Sequence, residues 1–166
     1  MNTAKRAASG FTLIELLVTL ALLGVLAAVA LPFRALAETR AKEAELRLAL
    51  RTLRTALDSY KAAADAGWID KPTGSSGYPP TLDMLVNGAA RTAAAMSSGS
   101  GAKPMIFLRR VPRDPFAPDA AIPDAATWNL RSYGAPPGDY SSGADVFDVA
   151  SSSNRRSLDG SPYSGW

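Results

Sequence analysis

Residues 10–18 read Gly10-Phe11-Thr12-Leu13-Ile14-Glu15-Leu16-Leu17-Val18, and the reading of the whole chain turns on this stretch. Upstream, Met1 to Gly10 is short, polar and basic through Lys5 and Arg6. Downstream, the apolar run continues to Phe33, and Thr12, Glu15 and Thr19 are its polar entries. A helix needs about 20 apolar residues to cross a bilayer, so Phe11 to Phe33 is predicted to span one. The run is longer than the apolar part of a secretory signal, and no small-residue cleavage site follows it. Lys5 and Arg6 hold Met1 on the cytoplasmic side and send the rest of the chain outward. Glu15 conflicts with this setting, because an ionised carboxylate there costs about 2–3 kcal/mol unless it reaches the interface or finds a cation. Position alone leaves two readings: Glu15 is tolerated at the membrane edge, or it is neutralised when chains assemble.

Gly24 and Pro32 interrupt the apolar run. Proline lacks a backbone donor and clashes with the preceding turn, so Pro32 is expected to bend the helix or mark its exit from the membrane. Ala35 to Ala64 is rich in Ala, Leu, Glu, Lys and Arg, all good helix formers. Leu46, Leu50, Leu53, Leu57 and Tyr60 recur at spacings of four and three, which lines them up on one helix face. Arg40, Lys42, Glu43, Glu45, Arg47, Arg51, Arg54 and Lys61 are placed on the opposite, solvated face. The stripe is expected to pack on the chain's own sheet rather than on a coiled-coil partner, because it is short and a globular region follows it. Membrane span and stripe together predict one helix of roughly 50 residues.

The helix is expected to end where Gly67 to Gly77 brings Gly, Pro and Ser. Tyr78-Pro79-Pro80-Thr81 reads as a turn opening a short helix, with Thr81 as its N-cap. Gly88 to Lys103 reads as a loop, with a helical turn at its Ala-Ala-Ala-Met stretch. Met105–Leu108, Trp128–Tyr133 and Asp145–Ala150 are the strand candidates. Arg109, Arg110 and Arg113 read as a solvated rim, with a binding patch as the alternative.

Composition removes several classes of function. The chain has 166 residues, no Cys and no His. Disulfide frameworks, thiol nucleophiles and His-dependent triads are therefore absent, as is the commonest zinc ligand. An enzyme would need a carboxylate pair or a Ser-Lys dyad, and no spacing proposes one, so catalysis is not expected. The net charge of +3 is small and the cations are scattered, so nucleic acid is not an expected partner.

The stretch from Gly10 to Val18, with its basic leader and apolar continuation, resembles the signal sequence of the type IV pilin superfamily. That resemblance implies cleavage by a prepilin peptidase after Gly10, methylation of the new amino terminus at Phe11, and a charge pair between the Phe11 amine of one subunit and Glu15 of its neighbour. It also implies an α+β, type IV pilin-like fold: a long N-terminal helix on a small antiparallel sheet, with a short extra helix and loops. The expected organisation is a leader at 1–10, a transmembrane assembly helix at 11–33 and a periplasmic domain at 34–166. In the family, a segment like that bracketed by Gly24 and Pro32 can lose helical order in the filament.

Further along, Tyr78-Pro79, the Arg109 to Pro115 turn, Phe147-Asp148 and Trp166 resemble the major pseudopilin of type II secretion, and the lack of a Cys pair agrees. This implies an inner-membrane subunit that forms a helical homo-oligomer, a pseudopilus, with an assembly platform and minor pseudopilins as further partners. A minor pseudopilin, a type IV pilus subunit and a non-polymerising membrane-anchored binding module are the alternatives. Two departures stand out. Phe116-Ala117 follows Asp114-Pro115 where the family has Trp-Gly. The family's calcium-binding loop corresponds to Ser151–Trp166, in which Asp159 is the one acid. Asp159 and Asp148 are the calcium candidates, against a plain turn at Asp159-Gly160.

Overall fold

In the computed structural model, which describes residues 10–97, 103–141 and 143–166 (backbone alone at 29–32), the chain divides into two units at Arg40/Ala41. Of the expected leader, Met1 to Gly10, residues 1–9 lie outside the described residues. Helix α1 runs Leu13–Asp65, 53 residues. In the first unit it is the apolar run and its polar extension, with one ion pair among the described residues, Arg34 to Glu38, at 2.9 Å.

The second unit, Ala41–Trp166, holds the core. Leu46, Leu50, Leu53, Leu57 and Tyr60 are all buried, as the spacing predicts. Ala49, Ala56, Ala63 and Ala64 are buried beside them and let the covering chain approach closely. The cover comes from Ile69, Leu82, Leu85, Val111, Phe116, Trp128, Val146, Val149 and Tyr163, all in one cluster with the stripe. Burying a Leu side chain is worth about 1.5–3 kcal/mol, so this stripe anchors the domain.

Helix α1 stops in a hydrogen-bonded C-terminal motif. Gly67 takes φ +72°, Trp68 N–H donates to Ala63 C=O at 2.9 Å and Gly67 N–H to Ala64 C=O at 3.1 Å. The left-handed residue turns the chain back so that two terminal carbonyls are satisfied. Helix α2 (Asp83–Asn87) follows, then the single turn α3 (Ala93–Ala95), whose Thr92 hydroxyl accepts from Ala95 N–H at 3.3 Å. Thr81 is not the cap of α2: Leu82 holds that position, in helical dihedrals and with no side-chain bond. The start is instead closed by tighter bonds, from Met84 N–H to Thr81 C=O and Leu85 N–H to Leu82 C=O.

The sheet has two strands, β1 (Trp128–Arg131) and β2 (Asp148–Ser151), antiparallel, with Trp128 opposite Ser151 and Arg131 opposite Asp148. β1 fills the first part of the expected Trp128–Tyr133, whereas β2 begins three residues later than the expected Asp145–Ala150 and ends one residue beyond it. Met105–Leu108 is not a strand. Met105 pairs once, with Ala89, while Phe107 and Leu108 both donate to the Leu85 carbonyl at 2.9 Å. A helix end leaves carbonyls unpaired, and α2 draws this segment away from the sheet. Gly88, with φ +87°, makes the close approach possible, since a Cβ there would lie 2.9 Å from Pro104 Cβ.

Candidate functional site: the N-terminal helix and the polar ties of the domain

Phe11, Leu13 and Ile14 are 80%, 77% and 66% exposed. Every described side chain from Phe11 to Ala28 is exposed. The first turn of α1 is set by Thr12: its hydroxyl accepts from Glu15 N–H at 3.3 Å and its carbonyl from Leu16 N–H at 3.2 Å. The Glu15 carboxylate has no ion-pair partner among the described residues. Gly10 and Phe11 lie just before the helix, exposed. Gly24 and Pro32 both fall inside α1, which neither ends. A Cβ on Gly24 would meet nothing within 4 Å, so packing within one chain does not require a glycine there.

In the domain, four residues assigned to the solvated face of α1 are tied into the fold: Arg47 lies over the Trp166 ring, Lys61 pairs with Asp65 and approaches the Tyr78 ring, and Glu43 and Arg54 make long-range hydrogen bonds. Glu43 is buried: Leu158 N–H donates to its Oε1 at 2.8 Å and the Tyr163 hydroxyl at 3.0 Å. Its position fits the stripe extended one step back, three residues before Leu46, so the periodicity already held this signal. Burial, then donation to Glu43, pushes the Tyr163 phenol above its ordinary 10.0. Arg54 is half-buried. Its Nε donates to Asp148 Oδ1 at 2.8 Å, and its Nη2 to the carbonyls of Val149 at 3.1 Å and Trp166 at 2.7 Å. No local signal in the sequence pointed to Arg54.

The other polar groups have structural partners. Buried Asp114 accepts from Phe116 N–H at 2.8 Å and from the Ser151 hydroxyl at 2.6 Å, joining the Arg-Arg-Val-Pro-Arg-Asp-Pro turn to β2. Arg113 donates to the carbonyls of Ile122 and Asp119 and approaches Asp124, so it braces its own loop. Arg109 and Arg110 are exposed, as a rim would be.

The two calcium candidates are otherwise engaged. Asp148 is shared between Arg54, at 2.8 Å, and Arg131, at 3.4 Å. Asp159 Oδ1 accepts from the hydroxyls of Ser157 and Ser161 and from Ser161 N–H. Those side-chain bonds, Ser157 first, hold its carboxyl at about 2, below the usual 3.8. No group of three or more acids able to hold a metal is present among the described residues.

Residues 5–31 match the prokaryotic N-terminal methylation motif. Over 115 residues the chain is 31% identical to the type II secretion system core protein G of Aeromonas hydrophila, an alignment covering 68% of this chain and 70% of that relative. The chain belongs to the type II secretion core protein G family. No solved structure gives a significant match. For a pseudopilin of this family, the exposed apolar half of α1 is the membrane anchor, and the domain carries the pilin-like helix on its two-stranded sheet. The calcium implied by the family resemblance does not fit the residues present. Calcium prefers six to eight oxygens and usually more than one carboxylate. Here one candidate is neutralised by two guanidinium groups, and the other is the sole acid of its loop.

Proposed function

We propose that this protein is the structural subunit of a periplasmic pseudopilus that drives protein secretion across the outer membrane. The role is one of assembly, not catalysis. Lys5 and Arg6 orient the chain with its N-terminus in the cytoplasm and residues 34–166 in the periplasm. A prepilin peptidase removes Met1 to Gly10 and methylates Phe11. An inner-membrane assembly platform and minor pseudopilins then work on the processed subunit.

The observation that carries this reading is the exposed apolar surface from Phe11 to Ala28 around a Glu15 carboxylate that has no ion-pair partner among the described residues. Lipid covers the apolar side chains, but it offers Glu15 no counter-ion. Cleavage creates an amine on Phe11, which is as costly in the bilayer as the carboxylate. Pairing the amine of one subunit with Glu15 of the next neutralises both, and does so at one axial stagger only. In the same packed helices, the bare surface at Gly24 gives a neighbouring helix room to approach, and Pro32, which cannot donate a backbone bond, gives a point where helical order is readily lost.

The test is Glu15→Ala in the native secretion system. The variant retains a fully apolar span and should insert and be cleaved normally. The unpaired amine then costs about 3–5 kcal/mol per subunit, and sheared filaments should disappear. Wild-type filament yield from Glu15→Ala would overturn the charge-pairing account. An intact Met1 terminus in the membrane pool, read by mass spectrometry, would overturn the pilin reading itself.

A further inference from the structure

We propose that the C-terminal segment of this protein is fastened by an internal cation, the Arg54 guanidinium, in place of the divalent ion its family resemblance implies. A metal in such a loop gathers oxygens from separate pieces of chain around one cation. Arg54 does this with its own donors. Its three bonds take a carboxylate oxygen of Asp148, the backbone carbonyl of Val149 in β2 and the carbonyl of Trp166 at the far end of the segment. Strand and tail are thereby joined to α1 through one planar group, whose fixed fork suits several oxygens at once.

The rest of the segment is arranged to match. Glu43 holds Leu158 and Tyr163 from the same helix, and the Arg47 guanidinium lies 4.1 Å from the centre of the Trp166 ring. Phe116 stacks on Tyr163 with ring centres 4.2 Å apart, in a turn whose Phe116-Ala117 departs from the family's Trp-Gly. The Trp166 indole N–H donates to the Ser161 hydroxyl at 2.9 Å, which closes the turn around Asp159. A divalent cation added here would face Arg47, Arg54 and Arg131, and would have to strip Asp148 of two charge-assisted partners.

The experiment uses the full-length protein in detergent micelles. Wild type is measured in excess EGTA and in millimolar CaCl2, by thermal unfolding and by hydrogen exchange of the peptide spanning residues 157–166. Both readouts should be the same in the two buffers. In Arg54→Ala that peptide should exchange about tenfold faster or more, with no recovery in CaCl2, while the neighbouring exposed Arg51→Ala should match wild type. Arg54→Lys, which keeps the charge but not the fork, should fall between. Calcium-dependent protection of the wild-type peptide, or a calcium-dependent rise of about 5 °C or more in wild-type melting, would overturn the proposal. So would wild-type exchange in Arg54→Ala. Should Arg54→Ala fail to fold, the wild-type comparison in the two buffers still decides.

Discussion

The two ends of α1 use the same residue types and meet opposite fates. From Leu13 to Ala28 the helix is apolar on all sides, and every side chain is exposed. From Glu43 to Ala64 it is apolar on one stripe, and that stripe is buried. Leu17 is 53% exposed and Leu53 is 0% exposed, though both sit in Leu- and Ala-rich helix. Hydrophobicity alone therefore does not choose between membrane and core. The choice lies in periodicity: a helix that is apolar all round suits lipid or other helices, and a helix apolar on one face suits a sheet beneath it.

The largest contrast should come from truncating one leucine in each region. Leu53→Ala leaves a cavity in the buried cluster and should destabilise the domain by about 2–5 kcal/mol. Leu17→Ala removes a side chain that touches no core, and should shift domain unfolding by less than about 0.5 kcal/mol. Thermal unfolding of both variants in detergent measures the difference, and equal shifts would break the contrast.

The glutamates give a smaller version of the same comparison. Glu38 makes an exposed pair with Arg34 one helical turn away, whereas buried Glu43 satisfies Leu158 N–H and the Tyr163 hydroxyl. Glu43→Ala leaves both donors unpaired and should cost about 1–3 kcal/mol. Glu38→Ala should cost about 0.5 kcal/mol or less. Chemical denaturation of the two variants reads this directly.

The smallest effects are those of pH, and they have opposite signs. The Tyr163 phenol is raised above 10.0 in the fold. Its contribution is fully present below pH 10 and is lost as pH rises through the higher folded value. Asp159 is lowered to about 2 from 3.8. Its contribution is present above 3.8 and is lost as pH falls towards 2. A melting profile across pH should therefore fall at both extremes. Tyr163→Phe should remove a share of the alkaline part, since burial raises the phenols of Tyr60, Tyr78 and Tyr140 as well, and Asp159→Asn should remove a share of the acid part too small to carry the fold.

The N-terminal segment and the stripe were legible in the sequence, because both are written in local order. A long apolar run needs no distant partner to be recognised, and the spacing from Leu46 to Tyr60 defines a buried face whatever covers it. The C-terminal end of α1 was equally local, since Gly67 supplies a backbone conformation that side chains oppose. The fates of the polar residues were decided only by the tertiary structure. Arg54 reaches Asp148 and Trp166 across 94 and 112 positions of sequence, and Glu43 reaches Tyr163 across 120. No window along the chain contains both members of such a pair. Whether a charge is solvated or tied depends on which groups the folded core brings beside it. That is why the helix could be read from the sequence, while the fastening of the C-terminal segment could not.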